Sequence, residues 1–414
     1  RYYIRTQNTL NNMETYHKNA EKGVLVRQLY DCTSLMHQFP PKFKSANKRA
    51  IFSVLCPKKH KDCNGILTFA RYGYFSIPDY IPNPISFIHT KFKVTQDIYG
   101  YNEDDTEYCK HFYVNFADMN LFGMYSGNLF AQDEIMTLEH PILCSLREAL
   151  LYNQKKDFDS PLTPSCANGS VVITNVVHHG RFSQYNLSKI YGNKFSKYGT
   201  RSIVKMVNKY KSIKISNIIC IASLCHSNCK YTKQHYNELF SILYSGFKGS
   251  RNEVFWNELN KQKNIKQINN NKHKLSNANN NNVDDIVDDN PDDILYDIKS
   301  DDNNQDNNED NNNNNNNKKT PKVIIHTGNW GCGAFGGHLT AHVILQIIAA
   351  VCGGIDSLHY HSVDAYSYKK VKEALSILTA IFTNKCDNNG GIKYSDFIGI
   401  LLKMGYSWNK PNGT

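Results

Sequence analysis

The sequence predicts an α/β protein, a mixed sheet flanked by helices. Three observations carry this. The run Ser170-Val171-Val172-Ile173-Thr174-Asn175-Val176-Val177 is β-branched and bounded by Gly169 and Gly180, as a buried strand requires. From residue 111 onward strand-like runs alternate with longer helix-like ones. A short apolar run at 323–326 passes through a glycine-rich turn into an apolar helix at 339–352.

The elements follow in chain order. Residues 8–37 place Leu10, Met13, Val24, Leu25, Val26 and Leu29 at mixed helical spacing, so helical accessory structure is expected. Residues 38–108 hold Pro40-Pro41, Pro78, Pro82 and Pro84 among aromatics and read as irregular packed structure. Phe112-Tyr113-Val114-Asn115-Phe116 is a strand, and residues 131–151 are helix-like. Residues 215–222 form another strand, followed by a helix at 232–244. Residues 358–360 and 367–382 supply a last strand and helix. Residues 260–319 stand apart: twenty-two are Asn, twelve are acidic and eight are Lys. So little apolar surface cannot offset the entropy of ordering, and disorder is expected. The implied organisation is an N-terminal accessory region at 1–108, a main domain at 109–259 and 320–414, and a low-complexity insertion at 260–319.

Composition bounds the function. The chain has 414 residues, 40% hydrophobic, enough for a substantial core. The longest apolar stretches, near 339–352 and 215–224, fall short of the ~18–20 residues of a membrane span. The first residues, Arg1-Tyr2-Tyr3-Ile4-Arg5, lack the apolar core of a secretory signal. Twelve irregularly spaced cysteines read as reduced thiols, which places the protein inside a cell, in nucleus or cytoplasm. A net charge of +11 fits a polyanionic partner or plain solubility.

Residues 327–337, Thr-Gly-Asn-Trp-Gly-Cys-Gly-Ala-Phe-Gly-Gly, hold five glycines between a strand and a helix. Unobstructed N–H groups at a helix N-terminus bind anions, so a phosphate-bearing ligand is expected. The spacing is neither the dinucleotide fingerprint nor a P-loop.

This segment resembles the diphosphate-binding loop of the poly(ADP-ribose) glycohydrolase family. Leu243-Tyr244-Ser245-Gly246-Phe247 is similar to the helix end that precedes that loop in the family, and Arg181-Phe182-Ser183-Gln184-Tyr185 to its adenine-stacking segment. Val114-Asn115-Phe116-Ala117-Asp118, Phe122-Gly123-Met124 and Gln132-Asp133-Glu134 fall on its catalytic signature of Val-Asp-Phe-Ala-Asn, three glycines and Gln-Glu-Glu. The chain departs from that signature at Asn115, Asp118, Phe122, Met124 and Asp133, and retains Gln132, Gly123 and Glu134. The resemblance implies a macrodomain-like core that hydrolyses ribose–ribose bonds in poly(ADP-ribose), with no cofactor and no metal. It makes Glu134 the proton donor and base, with Asp133 holding ribose hydroxyls or orienting Glu134. Asn115, Asp118, Gly123 and Gln132 would line the substrate. Tyr185 would stack on adenine. Asn329, Gly331, Cys332, Gly333, Ala334, Phe335 and Gly336 would cradle the diphosphate, with Phe335 near the ribose. The implied partners are poly(ADP-ribose) or ADP-ribosylated proteins rather than nucleic acid or membrane. The alternative is an ADP-ribose-binding module whose catalysis is impaired.

The residues support this chemistry independently. Glycosidic cleavage needs a carboxyl that keeps its proton near neutrality, through burial or a neighbouring carboxylate. Adjacent Asp133 and Glu134 diverge by about 100° on a helix and must serve different roles. Capping of the helix by the same acids is the plainer reading of the pair alone. Cys56, His60 and Cys63, and Cys225, His226 and Cys229, have spacing loosely compatible with zinc, but neither group shows a paired partner in sequence. Residues 387–396 read as a turn rather than a calcium loop, since Lys385 falls where the first acid belongs. His178 and His179 could line a site, and the basic residues from Arg181 to Lys211 could guide a polyanion.

Overall fold

The computed structural model describes residues 23–157, 159–278, 320–386 and 390–412. The chain divides into two units: residues 1–254 with 321–414, and residues 255–320.

The larger unit is built on an eight-stranded mixed sheet ordered β1-β2-β6-β7-β5-β8-β9-β4. Its strands are β1 (Val24–Asp31), β2 (Ile66–Gly73), β4 (Phe92–Thr95), β5 (Cys109–Ala117), β6 (Gly169–Phe182), β7 (Val207–Ala222), β8 (Lys322–Gly328) and β9 (Ser357–His361). The β1, β2, β6 and β7 strands pair antiparallel, whereas β7, β5, β8, β9 and β4 run parallel. A separate ribbon joins β3 (Tyr80–Pro82) to β10 (Gly391–Lys393).

Helices cover both faces. One face carries α1 (Cys32–Gln38), α2 (Ala46–Leu55), α4 (Gln132–Glu139), α5 (Ile142–Lys156), α6 (Gln184–Ile190) and α7 (Thr200–Val204). The other carries α3 (Ile85–Thr90), the part of α8 (Lys233–Ala278) up to Val254, α9 (Leu339–Cys352), α10 (Ala365–Lys385) and α11 (Tyr394–Lys403). Along β5 the alternation is plain: Phe112 and Val114 enter one core, Tyr113 and Ala117 the other. The α9 helix is apolar nearly all round and buried accordingly.

Several expectations change. Residues 24–31 form an edge strand, not a helix. Val24, Val26 and Tyr30 suit a half-buried pleat, and the backbone pairs with β2. Strands from residues 24–95 lie in the same sheet as those beyond 109, so the first hundred residues are not merely irregular. The expected helix at 131–151 is two helices, broken where Pro141 opens α5. The helix expected to end at 244 continues to Ala278, into the segment expected to be disordered. The remainder of that segment, the N-terminal Leu10 and Met13, and residues 387–389 of the rejected calcium loop lie outside the described residues. Arg251 ties the two sides of the inserted segment together. Its Nη1 donates to the Pro321 carbonyl at 3.5 Å, and its other nitrogen pairs with Asp356. No described helix is long and apolar enough to cross a membrane.

Candidate active site

The parallel neighbours β5 and β8 are followed by helices on opposite faces, α4 on one and α9 on the other. Such a divergence opens a crevice beyond the carboxyl ends of the strands, the usual ligand position in an open α/β sheet. The acid pair stands on one side of this crevice and the glycine-rich turn on the other.

The start of α4 is clamped to β5. Gln132 accepts from the Phe116 N–H at 2.7 Å and donates to the Val114 carbonyl at 3.0 Å, continuing the ladder beyond the last β5–β8 pair. This puts Asp133 and Glu134, 7% and 3% exposed, against the strand end. Asn115 donates to Asp133 Oδ1 at 3.0 Å, and the Ala131 N–H donates to Glu134 Oε2 at 2.9 Å. Glu134 therefore also caps its helix. Burial pushes both carboxyls above the ordinary range, and the Glu134 charge raises Asp133 further. Asp118 is exposed and accepts from the Asn120 N–H.

Lys48, on α2, was not picked out from sequence. Its side chain is fully buried and donates to the Met124 carbonyl at 3.1 Å. Burial lowers its amine to about 8, while its charge draws both carboxyls down. The available signal was a lysine in line with Ile51, Phe52 and Leu55 on an apolar helix face.

The signature loop tolerates its altered residues by turning them apart. Phe122 adopts φ 55° and sinks its ring into the core, whereas Met124 is half exposed. A Cβ on Gly123 would meet Asn120 atoms at 2.6 and 2.8 Å, so glycine is required between them.

The glycine-rich turn is anchored from below. Trp330 is buried and donates Nε1–H to the Ile221 carbonyl at 2.9 Å, so the turn leaving β8 reaches the end of β7. Asn329 bonds Ser367 and Tyr360, so its side chain serves the scaffold. Gly331 and Gly336 sit at φ 73° and 75°. A Cβ on Gly331 would lie 2.3 Å from Ser223 Oγ, and one on Gly336 2.4 Å from the Asn409 carbonyl. The Cys332 N–H is spent on the Asn329 carbonyl at 3.1 Å. Among the described residues the N–H groups of Gly333, Ala334 and Phe335 have no hydrogen-bond partner. Three successive unspent donors before α9 make an anion cradle.

Residues 90–370 match the family described as Poly (ADP-ribose) glycohydrolase (PARG), Macro domain fold. The chain belongs to the poly(ADP-ribose) glycohydrolase family. Solved members of that family are among its structural neighbours. The Thermomonospora curvata glycohydrolase is 11% identical at TM-score 0.30, covering 87% of this chain and 88% of its own. The Deinococcus radiodurans enzyme in complex with ADP-ribose is 10% identical at TM-score 0.35, covering 86% and 94%. None of the curated proteins matches.

Tyr185, at the start of α6, is 68% exposed, with Lys189 Nζ 3.8 Å from its ring centroid and bonded to its hydroxyl at 2.6 Å. His178 is structural in kind: buried, bonded to the Gly180 carbonyl and Ser216, and stacked on His140. His179 lies instead with Cys56 and Cys63.

Proposed function

We propose that this member of the poly(ADP-ribose) glycohydrolase family hydrolyses ribose–ribose O-glycosidic bonds in poly(ADP-ribose) and releases ADP-ribose. The observation that carries the reading is the buried Asp133–Glu134 pair at the carboxyl end of β5, whose carboxyls burial raises above the ordinary range.

Glu134 gives its proton to the leaving ribose oxygen as positive charge develops at the anomeric carbon. The resulting carboxylate then takes a proton from the attacking water, which restores the acid. Asp133, oriented by Asn115, holds ribose hydroxyls. The free amides of Gly333, Ala334 and Phe335 receive the diphosphate, which the positive end of α9 favours. Tyr185 offers an exposed ring to adenine, and Asp118 lies at the open end of β5 where a ribose would pass. Every step is proton transfer or water attack. Twelve irregularly spaced cysteines support a place inside the cell, in nucleus or cytoplasm.

A second reading has its own observation. Glu134 is nearly enclosed and already accepts from Ala131, the posture of a capping residue. On that reading the chain binds ADP-ribose without cleaving the polymer. Release of ADP-ribose from automodified protein decides between them, measured for wild type and Glu134→Gln. Fast release by wild type alone supports the hydrolase. Tight ADP-ribose binding with no release from either supports the binding module.

A further inference from the structure

We propose a structural zinc site formed by Cys56, Cys63 and His179, outside the candidate active site. Cys56 caps the end of α2, Cys63 precedes β2, and His179 belongs to β6. Cys56 and Cys63 lie ahead of the span that matches the family, and His179 lies within it.

The geometry is that of a metal shell. The two sulfurs are 3.6 Å apart, and Cys63 Sγ is 3.8 Å from His179 Nε2. All three ligand atoms lie within 4.8 Å of one another. Tetrahedral zinc, with Zn–S about 2.3 Å and Zn–N about 2.0–2.1 Å, sets neighbouring sulfurs about 3.8 Å apart and sulfur from nitrogen about 3.6 Å apart. The observed separations match both edges to within about 0.2 Å.

The chemistry agrees. Thiolate and imidazole together select zinc among the common divalent ions. All three side chains are almost fully buried, and three protein ligands leave the fourth tetrahedral position to a water or a further side chain. His179 Nε2 also faces the Asp62 carbonyl at 3.0 Å, which turns the ring toward the 59–62 turn between the cysteines. Zinc binding sends both thiol protons to solvent, leaving two thiolates and a neutral imidazole around the ion. Within the 59–62 turn the sequence also carries His60, whose side chain lies outside the described residues.

Two simpler explanations fit less well. A disulfide needs sulfurs at about 2.05 Å, not 3.6 Å. Plain apolar packing of two thiols does not account for an imidazole nitrogen 3.8 Å from Cys63 Sγ.

Such an ion would fasten the α2–β2 connection to the sheet. The same α2 carries Lys48 to the acid pair, so the site would also fix one wall of the crevice.

The test uses the full chain with the exposed Cys225 and Cys229 changed to serine, so that surface thiols do not contribute. After growth with added zinc and gel filtration, about one zinc per chain is expected by mass spectrometry of the metal. Cys63→Ser and His179→Ala should each lose most of it. Cobalt(II) added to the chain with all three ligands intact should give thiolate-to-cobalt charge transfer and the strong visible bands of a tetrahedral site. This arm holds even if the ligand variants fail to fold. No retained zinc and no cobalt spectrum overturns the proposal. So does zinc content undiminished in Cys63→Ser, or a Cys56–Cys63 disulfide in the intact mass of the chain under non-reducing conditions.

Discussion

Replacing Glu134 with glutamine separates proton donation from shape. The side chain is nearly enclosed and its oxygen accepts from the Ala131 N–H at 2.9 Å. Glutamine keeps an oxygen acceptor there, so against a protonated Glu134 one neutral cap replaces another, a change of no more than about 1 kcal/mol. Charge works the other way. Glu134 has its folded pKa raised from 4.5, chiefly by burial. The folded state then holds the proton more tightly than the unfolded chain. Wild-type stability is fullest below 4.5 and is lost as pH rises through the folded value. Glutamine removes that loss, so the variant should gain on wild type at alkaline pH. Melting temperatures should differ by no more than about 4 °C at acid pH. Turnover should behave otherwise. Losing a positioned general acid costs about 10²–10⁴-fold, or roughly 3–5 kcal/mol of barrier. The assay is single-turnover release of ADP-ribose from automodified protein, with melting curves on the same samples. A folded variant releasing ADP-ribose within a few-fold of wild type would refute the assignment. So would a wild-type rate that climbs, rather than falls, as pH passes through the raised carboxyl range.

Other outcomes follow from the same geometry. Lys48→Met removes the buried cation that draws both carboxyls down, so the alkaline limb of kcat/KM against pH should move to higher pH. A profile that stays in place would separate Lys48 from the acids. Gly331→Ala forces a Cβ to 2.3 Å from Ser223 Oγ at φ 73°, and should cost about 1–3 kcal/mol in denaturant melts along with ADP-ribose affinity. Tyr185→Ala touches an exposed ring, so stability should hold within about 0.5 kcal/mol. ADP-ribose affinity, read by calorimetry, should fall by the equivalent of about 1–3 kcal/mol if the ring stacks on adenine.

Much of the central architecture was legible because local pattern and burial agree there. The β6 and β8 runs are β-branched, α9 is apolar throughout, and the five glycines sit between strand and helix. The β1 edge strand was not legible, since Leu25 and Leu29 among half-exposed neighbours mimic a helical face. Its identity comes from pairing with residues some forty positions away. Pro141 was available as the signal that divides α4 from α5. Lys48 was beyond reach for a different reason. A buried charge is stable only beside its partners, and these come from α4, on another part of the chain. Cys56 and Cys63 lacked their third neighbour for the same reason, because His179 arrives only when β2 pairs with β6.

The Arg251 bond to the Pro321 carbonyl has an evolutionary consequence. The polypeptide leaves after Val254 and re-enters at Pro321 at a doorway already fastened shut. Closing a longer excursion between fixed posts costs only about 0.6 kcal/mol for each doubling of its length. Asparagine codons can therefore accumulate or vanish between those posts while the sheet and its crevice scarcely register the change.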